Sequence, residues 1–132
     1  MKDTDRRLLI DLRRALLHLH KTLLEWERTA YERVHGRTSP AELLEAIVTD
    51  AQFSWLRPVS ALIVRMDEGL EIDALEGPEL DVDWIVAQTR TYISPDENGT
   101  PYAQRYHAAL QEHPDAVFAH RAVTNILKAA GK

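Results

Sequence analysis

Four ionisable residues fall where an amphipathic helix turns polar groups toward a core: His20, Glu27, Asp67 and His120. Imidazole can act as a base or a metal ligand, and a carboxylate beside it can orient it, share its proton or complete a ligand set. On a wheel advancing roughly 100° per residue, His20 and Glu27 lie beside the leucine stripe of the first segment. Asp67 flanks Ile63 and Leu70, and His120 lies among Ala116, Val123 and Leu127. Burying such groups is costly unless they are paired, and Arg57, Arg65, His20 or His120 could pair with Glu27 or Asp67. Two outcomes stay open. The four form a structural network that fixes helix order and register, or they line a pocket in which His20 or His120 serves as base or ligand.

Other chemistry finds less support. Di-iron bundles carry Glu-x-x-His on two helices and a Glu on each of two more. Glu32-Arg33-Val34-His35 is one such motif without a second, and Glu32 shares a polar wheel face with His18 and Glu25 that is expected to meet water. No metal and no cofactor is therefore expected. The chain has no cysteine, and its five glycines are scattered singly, so thiolate chemistry and a phosphate-cradling loop are excluded. Ser39, Ser54, Ser60 and Ser94 sit at cap or helix positions and not on a nucleophile elbow.

These residues must be held by helices. Leu9, Leu12, Leu16, Leu19, Leu23, Trp26 and Ala30 recur at spacings of three and four, which predicts one long helix capped by Thr4 and stopped at Gly36. At 1.5 Å per residue it is about 45 Å long. Ser39-Pro40-Ala41-Glu42 reads as a capping box opening a short helix with Leu43, Leu44, Ile47 and Val48. Asp50 can cap the next, through Phe53, Leu56, Val59, Ile63, Met66 and Leu70, with Gly69 near its end and a kink or a break expected near Ser54 to Arg57 from Pro58. Residues 71–80 read as an acidic connector. Asp81 caps a helix running to Ile93, Thr100-Pro101 begins another, and His113-Pro114-Asp115 divides that one from the last. With no period-two strand, the predicted fold is all-α: a single-domain bundle of five to six helices over residues 1–132, with a long N-terminal helix.

A second apolar face is also predicted. Leu17 and Leu24 lie outside the main stripe of the first helix, and Trp55 and Leu62 lie to one side of theirs. Such a face can mark a partner surface, and what packs on it is either the rest of this chain or a second copy. Most of the remaining aromatics, Tyr31, Phe53, Trp84, Tyr92, Tyr102, Tyr106 and Phe118 with Trp26, are expected to be core or cap packing.

Sixteen lysines and arginines against 21 acidic residues give a net charge of −5. Nucleic acid and anionic membrane both require clustered cations. Only Arg6-Arg7 and Arg13-Arg14 are paired, with Asp3, Asp5 and Asp11 among them, so neither partner is expected. The charged start, Met1-Lys2-Asp3-Thr4-Asp5, lacks the apolar stretch of a signal peptide, and a cytoplasmic location is expected.

Several stretches resemble a group of short all-helical bacterial proteins without a known activity: Leu17-His18-Leu19-His20-Lys21, Glu25-Trp26-Glu27-Arg28 with Tyr31-Glu32, Phe53 through Ser60, Leu62 through Glu68, and His113-Pro114-Asp115 through His120. They touch most of the chain. The resemblance implies a compact bacterial helical domain and brings no activity or site residues. Lacking a catalytic motif and carrying a second apolar face, the chain is expected to be a non-catalytic module for self-association or for another protein. The alternative is a small-ligand or metal-binding bundle, possibly an enzyme, built on His20, Glu27, Asp67 and His120.

Overall fold

The leucine stripe of the first segment forms the spine of the molecule. In the computed structural model, which describes residues 1–75, 77 and 80–132, Leu9, Leu12, Leu16, Leu19 and Leu23 are buried along one continuous helix, α1 (Asp3–His35). There follow α2 (Pro40–Thr49), a 3-10 helix (Ala51–Leu56), α3 (Arg57–Ala74), α4 (Val82–Tyr92), α5 (Pro101–Glu112) and α6 (Pro114–Ala129). The described residues thus form an all-α bundle, as the helical periodicity predicts.

α1 is flanked chiefly by α6 and α3, while α4 packs on α3 and α5 on α6. α3 runs antiparallel to α1: Arg13 meets Asp67 near one end, and Glu27 meets Trp55 just before α3 begins. One core joins them, with Leu12, Leu16 and Leu19 of α1 packed among Leu56, Met66, Ile85, Tyr106, Val123 and Leu127. Among the described residues no helix is long and apolar enough to cross a membrane.

The helix boundaries follow local chemistry. The Ser39 side chain accepts from the Glu42 N–H with Pro40 in the first turn, where its missing N–H costs nothing. Asp81 and Thr100 cap α4 and α5 in the same way. Gly36 closes α1 at φ 81°, a conformation that L side chains rarely adopt. Asp50 caps the 3-10 helix, and α3 starts anew at Arg57 with Pro58 in its first turn. The chain therefore meets the proline constraint with a fresh helix start and not a kink.

Two local expectations need correction. Lys2, not Thr4, occupies the N-cap of α1, because the helix starts one residue before Thr4 and draws Asp3 and Asp5 into its first turn. Gly69 lies in the C-terminal part of α3 and is buried where a Cβ would collide with Leu80. The acidic connector is shorter than expected, since α3 continues through Ala74 and Glu71 to Asp73 are helical; Glu76, Pro78 and Glu79 lie outside the described residues.

Because Leu16 is fully buried near the middle of α1, Leu16→Ala should cost about 2–5 kcal/mol of stability. In urea unfolding this should lower the midpoint at unchanged slope; an unchanged midpoint would place α1 in the wrong phase.

Candidate functional site

Toward its C-terminal end the buried face of α1 turns from leucine to carboxylate. Glu27, four residues after Leu23, is completely buried. Its Oε1 accepts from Arg105 Nη2 and Gln52 Nε2, both at 2.8 Å. Its Oε2 accepts from the Trp55 indole N–H at 2.9 Å and from Arg105 Nε at 3.2 Å. The Arg105 guanidinium thus grips both carboxylate oxygens while its carbon lies 4.3 Å from the centre of the Trp26 ring. The donors come from the 3-10 helix and from α5, so this one side chain ties three elements together. A buried charge is tolerable only when met in this manner.

An aromatic array extends from this pair. Trp26 meets Trp55 edge-on with centroids 6.3 Å apart, Trp55 meets Tyr102 at 5.3 Å, and Tyr102 stacks on Tyr106 at 6.0 Å. The array ends at His120, whose Nδ1 lies 2.7 Å from the Tyr106 hydroxyl. Burial pushes the Tyr106 phenol up and the His120 imidazole down. With both groups neutral the phenol donates and Nδ1 accepts, which leaves the ring proton on Nε2. Burial also raises Tyr102, helped by the neighbouring Tyr106 and Tyr92; its hydroxyl donates to the Tyr92 carbonyl at 2.9 Å.

The four residues marked by the sequence do not converge. His20 lies apart, in a groove of about 470 Å3 between α1, α2 and the start of α3, with Leu24, Ile47, Val48 and Phe53 around it. Burial there lowers its pKa, and a hydrogen bond with the Leu56 backbone opposes the shift. Asp67 is exposed and pairs with Arg13 across the α1–α3 seam. No bond joins His20, Asp67 or His120 to Glu27, so the expected partners Arg57, Arg65, His20 and His120 give way to Arg105 and Gln52.

The predicted partner face also changes. Leu62 is 4% exposed and belongs to the core, and Leu24 and Trp55 pack against that core, Trp55 spending its N–H on Glu27. Only Leu17 of the four stands out, at 43% exposure. The fold uses the second apolar face of α1 and α3 to seat its own neighbours.

Glu32 does not simply face water. It accepts from the Thr38 N–H at 2.6 Å and from the Thr38 hydroxyl at 3.0 Å, and it lies 3.2 Å from Arg28 Nε. The Thr38 N–H and hydroxyl and the Arg28 charge hold its pKa down against burial. His35 stacks on Tyr31. The lone Glu-x-x-His motif therefore staples the turn into α2. Among the described residues no group of three or more His, Asp and Glu side chains is placed to hold a metal ion. Two of the paired N-terminal cations are likewise engaged, Arg6 with Asp73 and Arg13 with Asp67.

Fold and site together define a helical bundle organised around a buried, fully donor-saturated carboxylate. No protein-family model, curated protein or solved structure matches the chain.

Two outcomes follow from this geometry. Arg105→Met leaves the Glu27 charge buried with fewer donors and should cost about 3–5 kcal/mol in urea unfolding. Adding Glu27→Gln should restore part of that loss, because it removes the uncompensated charge; strict additivity would deny the pairing. His20 and His120 are held neutral, so their contribution is complete above the ordinary imidazole value of 6.5 and is lost as pH falls below it. The melting temperature should fall between about pH 7 and 5, and more shallowly in a His20→Asn, His120→Asn variant.

Proposed function

We propose that this chain is a non-catalytic helical module that self-associates through the outer face of α2, and that it works in the bacterial cytosol. The observation that carries the proposal is the two-sided apolar character of α2. Its inner side buries Ala46 and half-buries Leu43 and Ile47. Its outer side exposes Leu44 at 64% and Val48 at 62%. Leu44 and Val48 form an apolar strip beside the exposed Glu42, Glu45 and Thr49, a kind of surface that marks interaction sites, and among the described residues α2 packs chiefly on the 3-10 helix that follows it.

A second copy suits this face by charge. The first turn of α2 carries Glu42 and its middle carries Glu45, while Arg57 sits at the C-terminal end and donates to the Val48 carbonyl. Two such helices laid antiparallel across a two-fold axis bring acid to base at each end and oppose their dipoles favourably. Ten residues span only about 15 Å, so a stable contact also needs the flanks. Exposed Val34 before α2 and Leu17 beside the His20 groove supply further apolar surface. The saturated state of Glu27 supports the non-catalytic part, since its oxygens are committed to protein donors. The cytosolic and bacterial parts rest on the cysteine-free composition and on the resemblance given above.

Sedimentation equilibrium should show a concentration-dependent dimer. Leu44→Glu with Val48→Glu should return it to monomer with unchanged helical circular dichroism, because neither side chain is buried. A strict monomer at about 1 mM, or a dimer that survives both substitutions, would overturn the proposal.

A further inference from the structure

A cleft of about 460 Å3 opens beside the Glu27–Arg105 pair, framed by Trp26, Thr29, Ala30 and Arg33 on α1, by Arg105 and Glu112 on α5, and by His113 at the junction with α6. The four α1 residues are spaced three, one and three apart, which is a single helix stripe, and Arg105 and Glu112 are two turns apart on the facing helix. The volume falls within the range of roughly 300–1,000 Å3 that small-molecule sites occupy.

The charges in this cleft are arranged unevenly. Arg105 is neutralised by Glu27, lies over the Trp26 ring, and spends Nε and Nη2 on the carboxylate. Neither of those bonds uses its Nη1 group, which retains its donors. Glu112 is fixed by the Trp26 indole N–H at 3.1 Å and has no cationic partner among the described residues. Arg33 is exposed and has no anionic partner among them. One unpaired cation and one unpaired anion therefore stand on opposite walls without meeting each other, above an apolar floor of indole ring and Ala30.

From this arrangement we infer that the cleft binds a small zwitterion, a free α-amino acid with an aliphatic side chain. Its carboxylate is taken by Arg33 and the Nη1 group of Arg105, its ammonium by Glu112, and its side chain by Ala30 and the part of the Trp26 ring that Arg105 leaves uncovered. A simple anion meets Glu112 and a simple cation meets Arg33, so each half of the ligand is opposed when it comes alone. The Glu27 clamp holds Arg105 in place before the ligand arrives, which reduces the entropy lost on binding. Glu27 is thus a positioning residue and does not touch the ligand. The site lies on α1 and α5, so it stands or falls independently of the α2 contact.

The test is a titration of the 15N-labelled full chain with L-leucine to about 10 mM, following the Trp26 indole N–H resonance, assigned through Trp26→Phe. The expected result is a saturable shift. Arg33→Ala and Glu112→Gln should each weaken binding at least about tenfold. In the second variant the amide oxygen still offers Trp26 an acceptor, so the resonance stays readable. Acetate and methylammonium at matched ionic strength should each bind at least about tenfold more weakly than L-leucine. The inference is overturned by the absence of a saturable shift with L-leucine, by an equal response to either half-ligand, or by unchanged affinity in both variants.

Discussion

A carboxylate with no exposed surface has to be met by donors before a chain can close over it, and Glu27 imposes that condition on three elements at once. Satisfying it requires Gln52 and Trp55 from the 3-10 helix and Arg105 from α5. Hydrophobic burial alone would let helices slide and rotate against each other with little change in energy. A charge that is buried and bonded on both oxygens penalises every arrangement that leaves it unpaired. The leucine stripe supplies most of the driving force for α1 to sink into the core, and Glu27 restricts which neighbours can surround its C-terminal half.

The consequences reach outward from that pair. α5 packs on α6 and reaches α1 through the side chains of Arg105 and Glu112, which hold Glu27 and Trp26 respectively. The aromatic array from Trp26 to Tyr106 fills the space behind the ion pair, and the Tyr106–His120 bond ties the far end to α6. A region built this way is rigid, and a rigid wall is what a small recognition cleft needs. The opposite flank of α1 is built differently. There α2 covers little of the bundle, His20 sits in an apolar groove, and Leu44 and Val48 meet water. One side of the molecule is closed by charge and aromatic contacts, while the other leaves apolar surface exposed.

Much of the fold is legible in the residues because its signals are local. The phase of the leucine stripe, the Ser39, Asp50, Asp81 and Thr100 caps, the Gly36 stop and the restart at Pro58 each act within a turn or two. Glu27 could be marked as a margin residue for the same reason. Its partner could not, since Arg105 lies 78 residues away on a helix whose own pattern says nothing about α1. The wheel also misjudged Trp55 and Leu62. An apolar residue to one side of a stripe looks unpartnered only until the neighbouring helices are placed, and here Leu62 is buried and Trp55 bonds Glu27. Asp67 shows the converse: half a wheel step separated an exposed pair with Arg13 from a core position.

Hydrogen exchange at the Trp55 indole N–H, followed by NMR, tests the central claim most directly, because that proton is predicted to rest on the buried Glu27 carboxylate. It should exchange only as the molecule opens, with protection comparable to the core amides of α1. Exchange at the rate of a free, exposed indole would contradict that claim, and with it the buried pair on which the arrangement of α1, the 3-10 helix and α5 depends.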